Sequence, residues 1–276
     1  MNLLLLAPDA VDSHGVARLS GRRADHLKRV LGIQCGSNVR AGVLGRGTGN
    51  ATVLAVEEHS VVLQVKLTRG LQPRSIEVVV ALPRPKVIPR LLSSLAALAV
   101  ARIDLVNAWK VDKGYFGSPK LVPEFMREEM WLGAEQGGHA SLPQLEVHQL
   151  FVPFVRETLR ARLEAHPTLA FVCHPRATQF LHEAWLEASE GPRAKTGPEP
   201  DHQRPPRICL AIGPEGGWTE LELRSFDDSG FARTRIVEGV LRVEAATVAA
   251  VAQLELLAQI SPPICRPRSK QITPAP

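Results

Sequence analysis

The run Ile208-Cys209-Leu210-Ala211-Ile212 passes directly into Gly213-Pro214-Glu215-Gly216-Gly217-Trp218, and Thr219 opens a helical pattern straight afterwards. Five consecutive apolar residues fit a strand buried on both faces, as in a parallel sheet. Three glycines and a proline at its end build a turn whose backbone a ligand can approach closely. Thr219 with Glu222 supplies a capping box, in which each side chain satisfies the other residue's backbone amide. Ligands of open α/β sheets bind beyond the carboxyl ends of the strands, so 213–217 is the first candidate site. The loop has neither the Lys-Ser/Thr ending of a phosphate loop nor the GxGxxG spacing of a dinucleotide loop.

The rest of the chain divides in two. Residues 1–72 are rich in short strand candidates, 39–43, 51–56 and 61–67, punctuated by Gly42, Gly45, Gly47 and Gly49. Such spacing predicts a small β-barrel. One helix is expected inside it, Arg22 to Leu31, with Leu27, Val30 and Leu31 on one face and a basic opposite face of Arg22, Arg23 and Arg29. From residue 73 the pattern alternates. Strands are expected at 76–82, 103–108, 168–173, 208–212 and 234–237. Helices are expected at 91–100, 123–136, 151–165, 177–190, 219–229 and 244–260. Alternation of this kind makes residues 73–262 an α/β domain with a parallel sheet. Residues 190–206 are polar and Pro-rich, which predicts a flexible insert, and the tail 263–276 is expected to be disordered.

Composition excludes several classes. Of 276 residues 45% are hydrophobic, enough for a sizeable core, but only 5% are aromatic, so Leu, Val and Ala must fill it. A net charge of +5 mildly favours a polyanionic partner. Cys35, Cys173, Cys209 and Cys265 form no CxxC pair, so no zinc or redox motif is expected, and reduced thiols in a cytoplasmic protein fit best. Met1 to Pro8 lacks a basic flank and reads as a first strand rather than a signal peptide. No apolar run reaches about 18 residues, so no membrane span is expected.

Gly213-Pro214-Glu215-Gly216-Gly217-Trp218-Thr219-x-x-Glu222 resembles the GPEGG(F/W)(S/T)xxE signature of the bacterial 16S ribosomal RNA uracil-N3 methyltransferases, knotted enzymes of the SPOUT class. Leu241-Arg242-Val243-Glu244-Ala245-Ala246 is similar to that family's LRxETA motif. Ala134-Glu135-Gln136-Gly137-Gly138-His139 through Pro143 resembles its AxEQsgRxxxP segment. His26-Leu27-x-Arg29-Val30-Leu31 through Gly36 matches its HxxxVLRxxxG segment. The four stand in family order along almost the whole chain. The resemblance implies an N-terminal PUA-like β-barrel that grips RNA and a C-terminal SPOUT α/β domain with a parallel sheet and a trefoil knot. Periodicity alone would not suggest a knot, because threaded chains are rare. It also implies S-adenosylmethionine as cofactor, leaving as S-adenosylhomocysteine, with 16S rRNA of the small ribosomal subunit and a second copy in a homodimer as partners.

Residue by residue, the resemblance assigns three loops to the cofactor: Val172, Cys173 and His174; Gly213, Pro214, Glu215, Gly216 and Gly217; and Val237, Gly239, Val240 and Leu241. Each loop also has a plain reading as a strand-to-helix turn. Arg242 and Glu244 are the candidate catalytic pair. They equally fit a solvated pair at a helix start, although apolar Val240 and Val243 suggest a partly buried segment in which a charge needs a partner. Cys173 reads as packing, because methylation at uracil N3 needs no covalent attack. Arg22, Arg23, His26 and Arg29 are the candidate RNA-binding face, through phosphate and shape contacts rather than stacking. No metal ligands are spaced for a site.

The chain departs from the family in five places. The helix 91–100 lacks the family's Lys and Glu-Leu-Gly; His139 replaces an Arg; Ala245 replaces a Thr; and the glycine before Leu241 is displaced to Gly239. Lys110 or Lys113 stands where an Arg usually follows the second strand. These departures leave two further functions open, a non-catalytic RNA-binding or assembly protein and a methyltransferase of another rRNA or tRNA site.

Overall fold

The structure is a computed structural model of the 276-residue chain, and it describes residues 2–72, 75–190 and 207–260. The predicted insert and tail, and Pro73-Arg74 at the expected domain junction, lie outside the described residues. In chain order the elements are β1 (Leu4–Leu6), β2 (Val16–Ser20), α1 (Gly21–Arg29), β3 (Asn38–Val43), β4 (Gly47–Val56), β5 (Ser60–Arg69), β6 (Ile76–Ala81), α2 (Ile88–Ala97), β7 (Arg102–Val106), α3 (Pro123–Gly137) and β8 (Gln144–His148). A continuous helical stretch follows, with α4 (Phe151–Pro153), a π-helical segment (Phe154–Leu159) and α5 (Arg160–Ala165). Then come β9 (Thr168–Cys173), α6 (Leu181–Glu190), β10 (Arg207–Ile212), α7 (Glu220–Asp227), β11 (Ala232–Thr234) and α8 (Val243–Ile260).

The chain forms two compact units. One comprises residues 1–78, 82–105 and 111–147; the other comprises 79–81, 106–110 and 148–276. In the first, β1, β3, β4, β5 and β2 make a five-stranded sheet in that order. The β1–β3 pair is parallel, whereas β3–β4, β4–β5 and β2–β5 are antiparallel. Period-two alternation explains its two faces. Leu4 and Leu6 enter a core with Ala17, Leu19, Ala41, Val43, Val53 and Leu63, sealed by Leu27 of α1. Leu3 and Leu5 point the other way, against Ala134 and Ala140. The expected helix starts one residue earlier and stops at Arg29, leaving Val30 and Leu31 exposed.

The second sheet has the order β11-β9-β10-β6-β7-β8. β9 pairs in parallel with both β10 and β11. Strands β6, β9 and β10 are almost wholly buried, which is why they read as plain apolar runs. By length and composition, α8 is the one helix among the described residues that is apolar enough to cross a membrane. It buries Ala250, Val251, Leu254 and Leu257 and lies against α6 and β10.

Helices α2 and α3 cross closely because α3 carries glycine where the backbones meet. A Cβ on Gly133 would overlap the Ser93 carbonyl, and one on Gly137 the Ala97 carbonyl. Backbone on both sides leaves nothing that can swing away. Gly133→Val is therefore expected to destabilise the protein by about 3 kcal/mol and lower Tm by roughly 10 °C. Gly70→Ala, with no atom within 4 Å of the new methyl, should leave a thermal unfolding scan unchanged.

Candidate functional site

Three strand ends create the site. Ile212 pairs with Cys173, and Cys173 with Thr234, so β10, β9 and β11 terminate side by side. The loops that leave them surround one cleft, about 570 Å³ of space that includes open solvent. Ten of the twelve residues expected at the cofactor line it: Cys173, His174, Gly213, Pro214, Glu215, Gly217, Val237, Gly239, Val240 and Leu241. Two do not. Val172 is fully buried in β9. Gly216 faces away, and a side chain there would press on Lys110.

Local chemistry holds each loop. Gly217 adopts φ 69°, and its amide donates to the Pro214 carbonyl at 2.7 Å, closing a tight turn. Thr219 and Glu222 form the expected capping box. Glu222 is buried, and its carboxylate accepts from the Thr219 amide at 2.7 Å, the Thr219 hydroxyl at 2.8 Å and the Trp109 amide at 2.8 Å. Trp218 is buried against Phe226, ring centroids 5.1 Å apart. Lys110 spans the loop, its ammonium donating to the Gly216 carbonyl at 2.7 Å. The first loop is tied to β11 by the His174 amide, which donates to the Thr234 carbonyl at 2.8 Å. The third is tied to α8 by the Gln253 side chain, which donates to the Ile236 carbonyl at 3.2 Å.

Sequence reasoning missed Arg235. It lines the cleft, its guanidinium lies 4.0 Å from the Phe180 ring centroid, and its Nε is buried with no hydrogen-bond partner among the described residues. Its strand position next to Phe180, through an isolated parallel bridge, has no signature in the sequence. Ile212, Ile236, Val243 and Ala246 add apolar wall.

Cys173 is inert: burial pushes its thiol up to about 12, against a small opposing effect of the Thr234 hydroxyl. A thiol held this high is not a thiolate at neutral pH. His174 is held below the usual histidine value of 6.5, first by burial and then by the positive charges of Arg176, Arg233 and Lys110. Its Nδ1 accepts from the Arg176 amide at 3.1 Å. The neutral ring therefore carries its proton on Nε2, which is left as a donor on the side of Gly217.

The candidate catalytic pair is placed differently from expectation. Of the segment around it only Val243 is buried; Val240 is 77% exposed and Arg242 is exposed. Arg242 needs no buried counter-ion, and its side chain has no ion-pair partner among the described residues. Glu244 sits in the first turn of α8, where a negative charge complements the helix dipole.

In the first unit, α1 carries the expected RNA-facing residues. Arg23 turns inward: its Nη1 donates to the Leu5 carbonyl at 3.1 Å and its guanidinium lies 4.9 Å from the Trp131 ring centroid. His26 is half-buried, and Arg29 is exposed. Arg22 lies in the first turn of the helix. His139, where the resembled family has Arg, makes a 3.0 Å hydrogen bond with the Ala97 carbonyl.

Comparison with known proteins agrees with this architecture. The family described as the RNA methyltransferase domain matches residues 71–255. The ribosomal RNA small subunit methyltransferase E of Treponema pallidum is 29% identical over 258 residues, covering 91% of this chain and 90% of that protein. The protein of the same name from Synechocystis is 24% identical, covering 92% and 77%. A crystal structure of a ribosomal RNA small subunit methyltransferase E from Neisseria gonorrhoeae bound to S-adenosyl methionine superposes with a TM-score of 0.67, at 19% identity, covering 93% of this chain and 98% of that one. The chain thus belongs to the RNA methyltransferase domain family, as a member of the small subunit methyltransferase E type.

The depressed His174 value has a readable consequence. As pH falls, the unfolded chain takes up its proton first, near 6.5. The folded state therefore loses stability below that pH and keeps it in full above. A proton NMR titration is expected to show His174 neutral at pH 7 with its midpoint below 6.5. Arg176→Ala should move that midpoint upward; a midpoint indifferent to Arg176 would mean that the cation does not act on the ring.

Proposed function

We propose that this protein transfers a methyl group from S-adenosylmethionine to N3 of a uridine in 16S ribosomal RNA, as a homodimer in the cytoplasm. The observation that carries the reading is the meeting of all three expected loops around one cleft. The cleft fits the cofactor chemically. Ile212, Val237, Leu241 and Val243 offer apolar wall for an adenine. Glycine backbone at 213, 217 and 239 permits close approach, and the unpartnered Arg235 Nε is a buried donor for a carboxylate or carbonyl.

When bound, the sulfonium supplies an electrophilic methyl group. What the chain must add is position and charge. Uracil N3 reacts once its imide proton is lost or leaving, and negative charge then spreads to the ring oxygens. Arg242, exposed at the rim and with no ion-pair partner among the described residues, is the group assigned to those oxygens or to the flanking phosphate. Glu244, in the first turn of α8, is the carboxylate assigned to the proton. The exposed Arg29 of α1 serves RNA through phosphate contact, with Arg22 and His26 assigned to the same helix, while the inward-turned Arg23 anchors that helix on the Leu5 carbonyl. Exposed Leu256 and Ile260, one turn apart near the end of α8, give the second unit apolar side chains that a second copy would cover. The trefoil knot that the family resemblance implies belongs to this reading.

Calorimetry with S-adenosylmethionine and mass-spectrometric mapping of 3-methyluridine in 16S rRNA, with and without this protein, test the proposal directly. A folded protein that binds no cofactor would end it. Gly239 lines the cleft, and no atom lies within 4 Å of a Cβ built there. Gly239→Val should therefore keep the fold but weaken cofactor affinity by roughly tenfold or more. Arg242→Ala should leave cofactor affinity intact and slow methyl transfer by about a hundredfold.

A further inference from the structure

Trp109 is the outlier of the second unit. Among the described residues it is the most exposed large hydrophobic side chain, at 84%. The other tryptophans differ: Trp185 and Trp218 are buried and Trp131 is half-buried. An exposed indole is ordinarily a mobile loop residue, but Trp109 is not loosely held. Its own amide donates to buried Glu222 at 2.8 Å. Two residues before it, the Asn107 amide donates to the His148 carbonyl at 2.9 Å, and the Asn107 side chain donates to the Gln149 carbonyl at 3.0 Å. Ala108 is buried. Immediately after it, Lys110 reaches the Gly216 carbonyl. The backbone is therefore held at Trp109 and just before it, and the ring is given to solvent.

Its setting is electropositive. Lys110, the next residue, lies along the 213–217 loop with its ammonium on the Gly216 carbonyl, and its charge, like those of Arg176 and Arg233, acts on His174 of the cleft. Arg233 is offset by Asp227 and Glu220. Arg176 is exposed and has no acidic partner among the described residues. A fixed flat aromatic surface beside uncompensated positive charge fits an unpaired nucleobase with its phosphate. The ring stacks on the base and the cations hold the backbone. An apolar protein partner would find the same ring bordered by charges that it must desolvate.

We propose that Trp109 is a base-stacking platform, binding one nucleotide of single-stranded RNA next to the cofactor loop. This rests on the methyltransferase reading and deepens it, by assigning the second unit an RNA contact of its own. It adds stacking in the second unit to the phosphate and shape contacts expected of α1. The platform is a positioning element; it takes no part in proton or methyl transfer.

The test uses the full-length protein and a short single-stranded oligoribonucleotide rich in uridine. In the unaltered protein the oligonucleotide should quench the red-edge tryptophan emission, which only an exposed indole provides. By fluorescence anisotropy, Trp109→Ala should weaken RNA binding about tenfold, the size of one stacked base. Trp109→Phe keeps a ring and should retain most of the affinity. The salt dependence of binding should be unchanged in Trp109→Ala, whereas Arg176→Ala should reduce its slope by about one. Cofactor affinity should be the same in all three variants. Unquenched emission, wild-type RNA affinity in Trp109→Ala, or a change in its oligomeric state by light scattering would each overturn the platform. The last result would place the indole against another copy of the chain. Failure of the unaltered protein to bind cofactor would instead remove the methyltransferase reading, which the quenching and anisotropy results do not depend on.

Discussion

Parallel register at the ends of β9, β10 and β11 governs what the second unit can do. Ile212, Cys173 and Thr234 lie abreast, so three connections must leave the sheet at one place without colliding. A one-residue slip of β10 would turn its side chains to the opposite face. Cys209 and Ala211 would exchange places with larger residues in a layer that is almost fully buried. The site is precise because the core that supports it tolerates only one alignment. The loops inherit that precision and then need glycine to fit: a Cβ on Gly213 would lie 3.1 Å from the Trp218 ring, and Gly217 takes a backbone conformation that side chains resist.

Glu222 extends the control one layer outward. A buried carboxylate is costly unless its lone pairs are filled, and this one accepts from Thr219 twice and from Trp109 once. Two of those bonds fix the start of α7 directly after the glycine turn. The third reaches a segment more than a hundred residues earlier in the chain. One side chain therefore couples helix capping, the shape of the cofactor loop and the posture of Trp109. Residues 106–110 depend on the same acid that a capping box requires in any case.

The sequence reveals these features unequally, and the difference is physical. Strands β9 and β10 are legible because burial on both faces leaves an uninterrupted apolar run. The capping box is legible because it is local, three residues apart. β2 and β8 escape notice: Val16–Ser20 carries Arg18 and Ser20 on its outer side, and Gln144–His148 is largely polar. Each becomes a strand only by pairing with a neighbour distant in sequence. The π-helical segment 154–159 has no local signature. Gly216 and Arg235 show the same limit at the site. A glycine in a conserved-looking string suggests contact with ligand, yet Gly216 turns to Lys110, a residue the string does not contain. Arg235 reaches the cleft through its pairing with Phe180, which no spacing rule predicts. Trp109 is invisible for the opposite reason: tryptophan defaults to the core, and only the long-range bonds of its backbone keep it outside.

The rim of the cleft is asymmetric, and that asymmetry bears on how a large polyanion meets a small cofactor. The loops 173–177 and 213–218 are anchored on both sides by backbone bonds and buried aromatic packing. Residues 238–242 are exposed, burial resumes at Val243, and Arg242 has no ion-pair partner among the described residues. A cofactor gains from walls that are already in place, since ordering them on binding would weaken affinity. An RNA substrate gains from a side that yields, because a nucleotide drawn out of its stack must be admitted before it is enclosed. His174 belongs to the rigid half. Kept neutral by burial and by the cations around it, it contributes a hydrogen-bond donor without adding a further charge. In the proposed reading, Lys110 and Arg242 offer positive charge to the RNA, while the cleft itself keeps apolar walls, the neutral His174 donor and the buried Nε of the Arg235 guanidinium.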